Sequence, residues 1–213
     1  MGRALEPEEE QRILAAADSK LRWRWAAFVI RTLLMTGMRV GELLNATWNQ
    51  VDMRRGLFRV GRAKTVTGTG RQIPMTAELL SLFSAYRALY ERRFGPFHAE
   101  WYILPAGKPQ PHDPRRPCAS IESSWRAIRK AARVKCRLHD LRHTACSKMG
   151  EAGVPDATIM ALMGHLSEAM LRRYSHSRRA SARQAVEALS LGESQVYGHV
   201  TKSPKIRRLA AVG

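Results

Sequence analysis

Apolar residues recur at helical spacing over most of the chain, and one stretch breaks that rhythm. Pro7 followed by Glu8, Glu9 and Glu10 reads as a first helical turn, acidic at the positive end of the helix dipole, leading into Ile13, Leu14 and Ala17. A second helix is predicted over 21–35, with Trp25, Phe28, Val29, Thr32 and Leu33 on one stripe and Gly37 as its stop. A short third helix covers 40–46. Between Trp48 and Met75 the period falls towards two: Val51 with Met53, Leu57 and Phe58 with Val60, and Ile73 with Met75 read as three short antiparallel strands. Arg55-Gly56 and the stretch 67–70 are the turns, and Pro74 assigns the last strand to an edge, where a missing N–H is tolerated.

Thr76 is the expected N-cap of a long helix to Phe94. The stretch 95–117 is rich in Pro and polar residues and is expected to be the longest loop, strand-like only over 101–104. Helices are then predicted over 119–133, 140–151, 156–163, 167–172 and 180–189. From Gly192 the pattern is lost, and Lys202, Lys205, Arg207 and Arg208 form a basic tail. The predicted class is therefore α+β, mainly α-helical with a small three-stranded antiparallel sheet. There is no internal repeat and no clear linker, so the expected division is a single domain over 1–191 and a tail over 192–213.

Charge narrows the function. Lys and Arg total 36 against 18 Asp and Glu, a formal charge of +18, and these cations are interleaved with the helical pattern rather than gathered in one tract. That balance points to a polyanion, with nucleic acid the first partner to consider, ahead of a membrane surface or a ribosomal assembly. The acidic start has no apolar core, no apolar run approaches ~20 residues, and the three cysteines have no framework spacing. The expectation is a cytoplasmic, nucleoid-associated protein without disulfides, membrane contact or a small-molecule substrate.

The chemistry-bearing residues fall into a few short blocks. Thr36-Gly37-Met38-Arg39-Val40-Gly41-Glu42-Leu43 puts an arginine at a helix junction with a carboxylate one turn on, an arrangement that read alone is an ordinary surface ion pair. Ala63-Lys64-Thr65 lies at the mouth of the hairpin, followed by Arg71-Gln72-Ile73-Pro74. His139-Asp140-Leu141-Arg142-His143 precedes Gly164-His165 and Arg173-Tyr174-Ser175. Arginine and histidine grip phosphates, and tyrosine can act as a covalent nucleophile. His139, His143 and Cys136 share a spacing that could hold zinc, but Arg142 between the histidines would repel a cation, so no metal is expected.

Taken as a set, these blocks closely resemble the catalytic domain of the tyrosine recombinase family, the phage integrases and their relatives, over residues 5–189 and in the family's order. His165 and Tyr174 are nine positions apart (174 minus 165), as in that family. The resemblance implies a tyrosine recombinase catalytic-domain fold, without the N-terminal core-binding domain that clamps the other face of DNA, either as an excised domain or as a naturally minimal protein. It implies that Arg39 and Arg142 bind the scissile phosphate with His165, that Tyr174 attacks phosphorus, and that Lys64 protonates the leaving oxygen. His139 would orient or deprotonate the nucleophile, Glu42 would brace the shell, and His143 would stand behind it. No cofactor is implied. The free protein would be a monomer that assembles into a homo-tetramer on double-stranded DNA at synapsis, and the segment 180–189 could dock in cis or in trans. The activity implied is site-specific integration or excision; relaxation of DNA in the manner of a type IB topoisomerase, and a non-catalytic remnant occupying recombination sites, are the alternatives.

Overall fold

The computed structural model describes residues 2–61, 68–96, 98–108, 110–164 and 189. Lys64, His165 and Tyr174 lie outside the described residues, as do the expected helix over 167–172, nearly all of that over 180–189, and the tail.

Helix α1 (Pro7–Asp18) starts where the sequence places it, with Pro7 in the first turn and the Glu9 carboxylate accepting the Glu6 backbone N–H at 3.1 Å. A 3-10 turn (Leu21–Trp23) leads into α2 (Arg24–Thr36), so the expected helix over 21–35 begins with a tighter first turn. Helix α2 is buried on nearly every side, from Ala26 through Ile30 and again at Leu33 and Leu34, and packs against α1 and the later helices. Its internal hydroxyls are satisfied locally: Thr32 Oγ1 donates to the Phe28 carbonyl at 2.9 Å and Thr36 Oγ1 to the Thr32 carbonyl at 2.5 Å. Gly37 ends the helix at φ +63°, its N–H donating to the Leu33 carbonyl, and a Cβ there would lie 2.7 Å from Met163 Cε. Helix α3 (Val40–Leu44) follows at once, two residues shorter than expected.

Strands β1 (Val51–Asp52), β2 (Leu57–Arg59) and β3 (Gln72–Pro74) form the predicted antiparallel sheet in the order β1-β2-β3, with Phe58 paired to Val51 and Ile73, and Pro74 on the edge strand. Thr76 caps α4 (Ala77–Phe94), its Oγ1 accepting the Leu79 N–H at 3.2 Å. Phe83 and Tyr86 of α4 meet Phe28 of α2 at ring-centroid distances of 5.0 and 3.6 Å, and Phe58 of the sheet meets Phe83 at 5.8 Å, so one aromatic cluster joins sheet, α2 and α4.

The stretch 95–117 corrects the expectation. Strand character over 101–104 is limited to one antiparallel bridge, Tyr102 to Thr47. Instead β4 (Pro105–Ala106) and β5 (Asp113–Pro117) form a two-stranded ribbon, and the preceding backbone is divided among several partners. The Ile103 N–H donates to the Ala46 carbonyl and the Tyr102 N–H to that of Pro114, while the phenols of Tyr86 and Tyr90 donate to the carbonyls of Ile103 and Tyr102. Burial of Ile103 and Leu104 fixes the segment without a regular ladder.

Helices α5 (Glu122–Ala131), α6 (Asp140–Glu151) and α7 (Asp156–Met163) complete the described chain, the last two at the expected boundaries. Helix α5 packs on α1, α6 on α2, and α7 on α6, where Cys146, Ile159 and Met163 form a small second core. Among the described residues no helix is long and apolar enough to cross a membrane.

Phe83 is fully buried between Phe28 and Phe58. Phe83→Ala is expected to lower the unfolding free energy by about 3 to 5 kcal/mol, the usual range for emptying such a site. Urea denaturation followed by circular dichroism measures it, and a loss below about 1 kcal/mol would show that the cluster is not close-packed.

Candidate functional site

The junction between α2 and α3 sets the first arginine. Arg39 is the N-cap of α3 in extended conformation, and Glu42, three residues on, reaches back to accept the Arg39 backbone N–H at Oε2 (2.9 Å) and the Arg39 Nη1 at Oε1 (3.0 Å). The pair expected from spacing is therefore formed, but it is not a surface pair: the Glu42 side chain is 4% exposed. A second guanidinium closes on the same carboxylate. Arg71 Nη1 donates to Oε1 at 3.1 Å and Nη2 to Oε2 at 2.6 Å, so each carboxylate oxygen receives two N–H groups. Burial pushes the Glu42 pKa up, but the bonds from Arg71 and Arg39 and the two cations outweigh it and hold the carboxyl below its ordinary value.

Sequence reasoning quoted Arg71 only as the residue after the hairpin. The signal that marks it is strand alternation: Arg71, Ile73 and Met75 are buried while Gln72 and Pro74 are exposed, so an arginine stands on the core face of a strand. A cation there requires a carboxylate. Arg71 also donates from Nε to the Leu162 carbonyl at 2.8 Å and from Nη1 to the Gly68 carbonyl at 2.7 Å.

Arg142 lies in the first turn of α6 and is 3% exposed. Its Nη1 donates to the Gly37 carbonyl at 2.6 Å and its Nη2 to the Met163 carbonyl at 2.8 Å, bonds that fix the guanidinium plane between the α2–α3 junction and the end of α7. Burial, then the charge of Arg39, push its pKa down to about 10, with Glu42 opposing and Arg71 adding to the push. Arg142 therefore stays a cation near neutral pH. Among the described residues, two guanidiniums thus bond the Glu42 carboxylate and a third, Arg142, lies near enough to feel the same charges.

The end of α7 closes this cluster. A Cβ on Gly164 would lie 3.6 Å from Arg71 Nη1 and 3.7 Å from Arg39 Nη1, so the residue immediately before His165 borders both guanidiniums. His139 is the N-cap of α6, with its ring centroid 5.2 Å from that of His143 and nearly perpendicular to it. Partial burial and the charges of Arg142, Arg137 and Arg39 hold the His139 pKa below its ordinary value, against the opposing carboxylate of Asp140. Cys136, the third member of the zinc set weighed above, has its pKa pushed up to about 11 by burial and the neighbouring Asp140.

Of the residues expected to share one site, Arg39, Glu42 and Arg142 are brought together, with His139 near enough to feel both arginine charges. His143 lies beside His139. Lys64, His165 and Tyr174 fall outside the described residues.

The model of the phage integrase family matches residues 3–181. The integrase of Salmonella phage P22 is 27% identical over 180 residues, an alignment covering 82% of this chain and 43% of that protein. The tyrosine recombinase XerA of Pyrococcus furiosus is 26% identical over 196 residues, covering 91% of this chain and 63% of that protein. The chain thus spans between about two fifths and two thirds of these relatives. Among solved structures, the Tn1549 transposon integrase in complex with circular intermediate DNA superposes with a TM-score of 0.69 at 21% identity, covering 88% of this chain and 67% of that one, which shows the shared fold. By the extent of the family match and by its architecture, the chain belongs to the phage integrase family.

Proposed function

We propose that this chain is the catalytic part of a site-specific DNA recombinase that integrates or excises a mobile element, with residues 1–191 as the working domain and 192–213 as a basic tail. The observation that carries the reading is the cluster of Arg39, Arg71 and Arg142 about the single carboxylate of Glu42, in a chain of the phage integrase family. A phosphodiester under attack accumulates negative charge on its non-bridging oxygens, and forked, preorganised guanidinium donors match that charge where water is scarce.

In this reading Arg39 and Arg142 bind the scissile phosphate, with His165 as a further donor. The Tyr174 phenol oxygen attacks phosphorus, the bond to the 5'-oxygen breaks, and Lys64 supplies the proton that the leaving alkoxide needs. The product is a 3'-phosphotyrosine and a free 5'-hydroxyl, so the phosphodiester can be remade on another strand without ATP or a metal. His139 is well suited to orient or deprotonate Tyr174, because burial and then its surrounding cations favour neutral imidazole with an acceptor lone pair. Glu42 and His143 support these groups. On DNA the protein assembles as a tetramer at synapsis and separates to monomers when free.

The decisive experiment uses duplexes selected from a random pool and nicked next to the scissile bond, so that cleavage traps the protein covalently. The native chain is expected to form an adduct that survives denaturant, and Tyr174→Phe to form none. An adduct with Tyr174→Phe, or none with the native chain, would contradict the assignment. Duplex affinity is expected to fall at least about 30-fold between 50 and 200 mM salt, the loss that roughly three neutralised phosphates produce. Tight, salt-indifferent binding would count against it.

The His139 titration gives a third check. Its imidazole, identified in NMR spectra by its loss in His139→Asn, is expected to titrate below 6.5. Arg137→Gln removes a nearby cation and leaves Asp140 less neutralised, so both changes favour the imidazolium and the midpoint should rise. A midpoint above 6.5 in the native chain, or a fall in the variant, would remove the basis for a neutral acceptor.

A further inference from the structure

We infer that Arg71 is a positioning residue for the phosphate site, acting through Glu42 to fix the direction of the Arg39 guanidinium. Its side chain is 5% exposed and Glu42's is 4%, so this ion pair is buried on both sides. Such a pair is poor evidence of stabilisation, because desolvating two charges offsets most of their attraction and an apolar pair of similar volume would serve the core as well. Its geometry accounts for it better.

Arg39 meets Glu42 through one side-chain bond, Nη1 to Oε1 at 3.0 Å. The Arg39 backbone N–H holds Oε2 at 2.9 Å, so both of these bonds come from one residue and follow any movement of the α2–α3 junction. Arg71 ties the same carboxylate to a second segment by bonding both oxygens, Nη1 to Oε1 and Nη2 to Oε2, and so sets the direction from which Oε1 accepts Arg39 relative to the rest of the site. Arg71 is itself held by main chain: its Nε donates to the Leu162 carbonyl and its Nη1 to the Gly68 carbonyl. Orientation thus passes from two backbone carbonyls to Arg71, from Arg71 to Glu42, and from Glu42 to Arg39. A lysine would keep the charge but not the fork, since a single ammonium cannot span both oxygens in one plane.

This inference rests on the reading of Arg39 as a phosphate ligand, and the test separates the two. Single-turnover adduct formation is measured on the nicked duplex for the native chain, Arg71→Lys, Glu42→Gln and the double variant, each with its melting temperature and half-saturating duplex concentration. Arg71→Lys is expected to slow cleavage about 10- to 100-fold, the scale of a misdirected catalytic group, while half-saturation stays near native and the melting temperature falls because the Leu162 and Gly68 carbonyls lose donors. The double variant is expected to cleave within about twofold of Glu42→Gln alone, because the two residues act in series. Multiplied losses would overturn the inference and assign Arg71 to holding Gly68 and Leu162 instead. Should Arg71→Lys not fold, Glu42→Asp decides: it keeps both charges but shortens the reach, so the same slowing at native half-saturation supports the relay and a native rate overturns it. No adduct from the native chain under any condition removes the cleavage reading itself, and this inference with it.

Discussion

A single buried carboxylate organises the cation cluster. Glu42 could not remain ionised at 4% side-chain exposure without donors, and it has four N–H groups from two arginines. The cost of removing these charges from water is offset only while every bond holds, so the segments that supply them are tied to one geometry. Those segments are the helix junction at Arg39, the strand edge at Arg71 and, through the Arg71 bond to Leu162, the end of α7. Burial and the charges of Arg39 and Arg71 push the Arg142 pKa down, opposed by the same carboxylate. The electrostatics of the described residues here are thus biased towards positive charge.

The hydrophobic core gives this bias a fixed address. Helix α2 is surrounded by apolar neighbours, and its last turn delivers Gly37, whose carbonyl receives Arg142 and whose bare Cα makes room for Met163. The small core of Cys146, Ile159 and Met163 then seats α7 on α6. The carbonyls at the end of α7 meet guanidiniums from two other elements, Leu162 with Arg71 and Met163 with Arg142, a favourable match for the negative end of a helix. Packing and electrostatics therefore fix the same point of the chain, Gly164, beside Arg39 and Arg71.

Local chemistry was readable from the sequence wherever it followed period and punctuation. Helices α6 and α7 begin and end where expected, Thr76 caps α4, and Pro74 lies on an edge strand, because each depends on residues within a few positions. The Arg39–Glu42 contact was equally legible, being the reach of one helical turn. What escaped was non-local. The burial of Glu42 depends on Arg71, 29 positions away, and an isolated arginine after a turn reads as solvated unless strand alternation is followed through it. The segment 101–104 reads as a strand because Ile103 and Leu104 are apolar, but it makes only one bridge, Tyr102 to Thr47, and its other non-local backbone bonds go to Pro114, Cys118 and two phenols, partners no window of that length contains.

Those phenols separate one part of the molecule from another. Tyr86 and Tyr90 project from α4 and hook the carbonyls of Ile103 and Tyr102, so the path of the chain re-enters the core at a point chosen by the helix rather than by the length of what came before. Loop closure costs grow only slowly with added residues. The outer ribbon between Pro105 and Pro117 can therefore lengthen or shorten at little entropic cost while the arginine cluster at the α2–α3 junction keeps its shape.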